Sequence, residues 1–129
     1  MTKKTTMALC LGLSLNFAFG AVLPQEGQGP LFRSTDKQLE ETFNWACNMA
    51  MSYAHDGNDP VGYWYEAALP QREAFCMRDV CHQSVGAQIL GLARHNKNML
   101  THFVENISEE KDWCTYWEIN RSEEHTSEL

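Results

Sequence analysis

Arg78 and Asp79 stand side by side in AFCMRDVCHQSVGAQILGL, residues 74–92, between an apolar lead-in and a long, mostly apolar segment. Charged side chains are seldom buried unless they are paired or functional. Asp79 could simply favour the start of a helix through capping and the helix dipole, with Arg78 as its ion-pair partner. The surroundings suggest more. Upstream lie Tyr63, Trp64, Tyr65, Glu66, Arg72, Glu73 and Phe75. Aromatic rings stack on the apolar faces of pyranose rings, and carboxylates and guanidinium groups make strong, often bidentate hydrogen bonds to paired hydroxyls. The candidate substrate-binding residues are therefore Arg78, Asp79, Trp64, Tyr65, Glu66 and Arg72. The bland alternatives are a hydrophobic loop anchor for the Tyr-Trp-Tyr run and solvated carboxylates for Glu66 and Glu73.

Helices must position these groups. STDKQLEETFNWACNMAMSYAHDG begins with Thr35 as an N-cap and Gln38 three residues on, a capping box. Leu39, Phe43, Ala46, Ala50 and Ala54 recur at the helical period, Cys47 and Met51 widen the stripe, and Gly57 is placed to end it. DGNDPVG, residues 56–62, is a loop by composition. The second helix is expected over about 79–94. Its apolar residues cover nearly the whole circumference, which predicts burial on all sides, and Gly86, Ala87 and Gly91 permit close helix approach. A third, over about 96–106, puts Met99, Leu100, Phe103, Val104 and Ile107 on one face. The expected fold class is all-α. A buried helix followed by an amphipathic one is the unit of an α/α toroid, although periodicity fits a helical bundle equally well.

The segment MRDVCHQSVGAQ resembles the Arg-Asp motif near the start of six-hairpin, (α/α)6 glycosidases such as glucoamylases and exo-α-mannosidases. The wider run from YWYEAALP to DWCTYWEIN is similar to exported bacterial members of that class, so the resemblance covers about residues 59–120. It implies a partial (α/α)6 toroid and gives Arg78 and Asp79 the role of binding hydroxyls of the −1 sugar. Where those families often carry Trp two residues before the Arg, this chain has Cys76, with Phe75 one step earlier. Glycoside hydrolysis needs two carboxyl groups, one an acid and the other a base or nucleophile. In the family these come from later in the ring, beyond Asn120, so the segment alone is expected to be inactive. Asp79 and Glu66 are the candidates for catalytic duty within it.

The remaining features bound the function. Residues 1–20, MTKKTTMALCLGLSLNFAFG, have a basic start at Lys3-Lys4, an apolar run and Ala18-Phe19-Gly20 before Ala21, which is the pattern of a cleavable secretory signal peptide. The expected location is periplasmic or secreted, with no membrane anchor. Residues 21–33 read as an extended lead-in and 34–120 as the glycosidase portion. The last nine, RSEEHTSEL, residues 121–129, resemble a translated sequencing-library adapter, so the natural chain is expected to continue past Asn120. Between residues 21 and 120 there are 7 Lys and Arg against 14 Asp and Glu, a net charge of −7. That acidity argues against nucleic acid or an anionic membrane as the main partner; an oligo- or polysaccharide partner is what the resemblance implies. Cys47, Cys76, Cys81 and Cys114 read as small buried residues, or as a source of one disulfide; their spacing matches no zinc pattern. No metal or cofactor is expected. The leading expectation is an exported glycoside hydrolase. The alternatives are a small secreted helical module that binds carbohydrate or protein, and a toroidal polysaccharide lyase.

Overall fold

The computed structural model describes residues 29–66 and 71–126. The expected signal peptide, most of the lead-in and the last three residues of the expected tail lie outside them. The chain runs α1 (Lys37–Met51), β1 (Ala54–Asp56), β2 (Tyr63–Tyr65), β3 (Ala74–Cys76), α2 (Met77–Ile89), α3 (Ala93–Glu105), a short 3-10 turn (Glu109–Lys111), β4 (Glu118–Asn120) and β5 (His125–Thr126). β1 and β2 form an antiparallel hairpin; β3, β4 and β5 form a second antiparallel sheet in that order. The fold is mixed α and β. The all-α expectation, and the partial (α/α)6 toroid with it, is overturned by these two sheets. The aromatic and β-branched residues of YWY, AFC and EIN suit half-buried strands, and tertiary pairing uses them so.

The helix boundaries differ from the periodicity for identifiable reasons. Asp36, one residue after Thr35, caps α1, its Oδ1 accepting from the backbone N–H of Gln38 at 3.0 Å and Leu39 at 3.3 Å. α1 ends at Met51, because the following residues pair with β2: Ala54 faces Tyr65, His55 faces Trp64 and Asp56 faces Tyr63. Gly57 serves this hairpin rather than ending α1. It has φ +88, and a Cβ there would meet the Tyr63 ring at 2.6 Å. α2 ends five residues before the expected Arg94. Gly91, at φ +85, follows the last turn; its N–H bonds the Gln88 carbonyl at 3.1 Å, and that of Leu92 bonds Ala87 at 2.8 Å. This is a Schellman closure, and it turns the chain directly into α3.

The core holds Trp64 and Tyr65 from β2, Phe75 from β3, Val80 and Ala87 from α2, Met99 and Phe103 from α3, and Ile119 from β4, with Val61 and Leu92 from loops. Phe75 and Ile119 are register partners and both are fully enclosed. Asn96 ties three elements together: its Oδ1 accepts from the Tyr65 hydroxyl at 2.8 Å, and its Nδ2 donates to the Ser84 carbonyl at 2.8 Å. α2 is not buried all round. Only Val80 and Ala87 are enclosed, while Val85 is 70% exposed and Ile89 48%, because no described element covers that face. α3 is amphipathic, as expected, but its inward residues are Asn96, Met99 and Phe103, and Val104 faces out.

Substitutions distinguish a one-sided α2 from one enclosed on every side. Phe75→Ala is expected to cost about 3–5 kcal/mol, whereas Val85→Ser is expected to stay within about 0.5 kcal/mol. Denaturant unfolding of both variants measures the difference; a large loss from Val85→Ser would contradict the exposed face.

Candidate functional site

The charged residues gather where β3 runs into α2. β3 and β4 pair so that Cys76 lies opposite Glu118, and Phe75 opposite Ile119. Side chains alternate along a strand. The Phe75–Ile119 pair faces the core, and the Cys76–Glu118 pair is on the other side of the sheet. There the Cys76 thiol donates to Glu118 Oε2 at 2.9 Å, and Arg72 Nε donates to the same oxygen at 2.9 Å. Arg72 Nη2 also bonds Oε2, completing an ion pair.

Asp79 joins this group from the helix. The N-cap of α2 is Cys76, so Asp79 is the third helical residue, and it does not cap. Its charge acts on Arg72, and it lies close enough to the Cys76 thiol to add to that group's raised pKa. Arg78 makes a long contact with Asp79, Nε to Oδ1 at 3.9 Å, and its guanidinium lies over the Trp117 ring, 5.1 Å from the centroid. Trp117 is 42% exposed. Two carboxylates, two guanidinium groups and a half-open indole thus share one end of α2.

The group holds its protons unevenly. Burial pushes the Cys76 thiol up to about 12, and the neighbouring Glu118 carboxylate adds to that shift. For Glu118, burial opposes ionisation, but hydrogen bonds from Cys76 and Arg72 outweigh it and hold the carboxyl below its ordinary range. Every hydrogen bond to the Glu118 carboxylate uses Oε2, and Oε1 thus carries no hydrogen bond among the described residues.

Of the residues singled out by sequence, Arg72, Arg78 and Asp79 are brought together. Trp64 is not among them. It is wholly enclosed, its indole N–H donates to Asp59 Oδ2 at 2.8 Å, and His55 stacks on it at 4.0 Å. Glu66 is buried and occupied: its two oxygens accept the backbone N–H groups of Gln71 at 3.0 Å and Arg72 at 3.1 Å. It clasps the chain that leads into Arg72, which does not suit a proton donor. Tyr65 and Glu66 both border a cavity of about 400 Å³, which Tyr53, Gln83, Gly86 and Leu90 also line. Gln83, Gly86 and Leu90 follow Asp79 at helical spacing, so this cavity runs along the same side of α2.

Glu118 and Trp117 were not singled out in the sequence. Their signal is the aromatic-carboxylate pair in DWCTYWEIN, the same pattern that drew attention to Trp64 and Glu66. Of the cysteines expected to be small and buried, Cys76 is; Cys47 is half-buried, and Cys81 and Cys114 are exposed. All four are free thiols. No cluster of three or more His, Cys, Asp or Glu suited to a metal occurs among the described residues.

Two pH dependences follow. The lowered Glu118 value contributes stability that is present above the ordinary carboxylate range and lost as pH falls through the folded value. Wild type is therefore expected to lose melting temperature on acidification more steeply than Glu118→Gln. The raised Cys76 value contributes stability that is lost as pH rises from about 9 to about 12. At neutral pH Cys76 is expected to alkylate far more slowly than exposed Cys81 and Cys114, as read by peptide mass spectrometry. Against family models, curated proteins and solved structures, the chain has no match.

Proposed function

We propose that this protein is an exported, carbohydrate-active protein of the glycoside hydrolase type, and that Arg72, Arg78, Asp79 and Glu118 bind the hydroxyls of a sugar ring. The observation that carries this reading is the meeting of Asp79, Arg72 and Glu118 around Cys76, with Trp117 beside them. Two acids and two bases balance in formal charge, which suits a neutral polyol better than a phosphate or a nucleic acid. Ionised acceptors and a planar donor match adjacent hydroxyls, and such contacts can strengthen as a sugar distorts toward an oxocarbenium-like transition state. Exposed Trp117 supplies a ring for a pyranose face, the part that enclosed Trp64 does not play. Export rests on the basic and apolar pattern of residues 1–20.

Asp79→Asn tests the proposal. As the third residue of α2, Asp79 favours the helix dipole by about 0.3–1 kcal/mol, so folding is expected to hold. Loss of a charged acceptor worth about 1.5–3 kcal/mol is expected to weaken sugar binding roughly ten- to a hundredfold. The measurements are calorimetric binding of neutral methyl glycosides, kcat and KM on aryl glycosides, and a melting curve for each variant. Binding without turnover agrees with a segment that holds a sugar subsite but not the catalytic carboxyl pair. Neither binding nor turnover by the folded wild type would dismiss a sugar site.

A further inference from the structure

Cys76, on the polar side of β3, is only 2% accessible and cannot itself reach a ligand. Its single described donor bond goes to Glu118 Oε2, the oxygen that Arg72 also holds. We propose that Cys76 is a positioning residue: its thiol proton and the Arg72 guanidinium together pin Oε2 of Glu118, fixing the rotamer and presenting Oε1 to the ligand. This rests on the proposed sugar site for its ligand, but the coupling between thiol and carboxylate stands apart from it.

The groups that face Glu118 are few. From β3 and the segment before it come Cys76 and Arg72; from α2, Asp79 acts on these two partners of Glu118. The arrangement works because the partners differ in proton affinity. A buried thiol surrounded by carboxylates keeps its proton across the physiological range, so it can only donate to Glu118. A water molecule in its place could donate or accept and could leave. Serine retains a donor at nearly the same position; alanine and valine do not.

The experiment follows the Glu118 carboxyl by carbon NMR in the full chain labelled at glutamate carboxyls, with Glu118→Gln assigning the resonance. Cys76→Ala is expected to raise the Glu118 titration midpoint and to weaken binding of neutral methyl glycosides by about tenfold, the worth of one hydrogen bond to a charged group. Cys76→Ser is expected to keep both near wild type. An unchanged midpoint in folded Cys76→Ala overturns the proposal, even if its melting temperature falls, because that result reports packing alone. If Cys76→Ala does not fold, the reciprocal measurement decides: in Glu118→Gln the Cys76 thiol is expected to ionise at lower pH than in wild type, and no change overturns the coupling. A wild type that binds no glycoside overturns the sugar site, while the two titrations still decide the role of Cys76.

Discussion

The antiparallel register of β3 on β4 is the constraint on which the site depends. It joins residues 42 apart in the chain, Cys76 and Glu118, and it does two things at once. On one face it seals Phe75 against Ile119 in the core. On the other it delivers a carboxylate to a buried thiol and an arginine. A slip of one residue would exchange the faces, placing Glu118 in the core and Ile119 among the charges. The apolar pair thus fixes the geometry of the polar one, and burial of two enclosed side chains makes that register costly to lose.

α2 is then positioned by what precedes it. With no side-chain cap on Cys76, the helix begins straight from the strand, and its first turn carries Arg78 and Asp79 to the sheet's polar side. Asn96 and the turn at Gly91 hold the other end against α3 and β2. Glu66 steadies the approach to Arg72 through two backbone amides. Each of these polar groups is buried with its partners in place, which rigidifies the frame instead of weakening it.

Much of this was legible in the sequence, and some was not. The Arg78–Asp79 pair and Arg72 could be singled out because charge beside apolar sequence is unusual. The three helices could be placed by period, though their ends could not: Asp36 outcompeted Thr35 as a cap, and Gly91 acted as a C-terminal stop rather than as a small packing residue. The strands were missed because each is two or three residues long, too short for alternation to show. Trp64 looked like a sugar platform, since an aromatic beside a carboxylate reads alike whether it is enclosed or exposed. The Trp117–Glu118 pair carries a signal like that of Trp64 and Glu66, but the partners that give Glu118 its place are remote in sequence. The all-round apolar character of α2 predicted burial that the described elements do not provide, leaving Val85 and Ile89 in solvent.

The Schellman turn at Gly91 has a kinetic meaning. It makes α2 and α3 a hairpin of near neighbours, whose contacts close short loops and can form early in folding. The β3–β4 ladder closes a far longer loop, at greater entropic cost. The charged site spans that ladder, so it is completed by the slower step. In the native ensemble the same asymmetry runs in reverse. An opening that releases β4 while the helical hairpin persists would dismantle the Glu118 end of the site first. Amide exchange across Phe75 and Ile119 would then report the lifetime of the assembled site, and exchange within α2 and α3 the persistence of its scaffold.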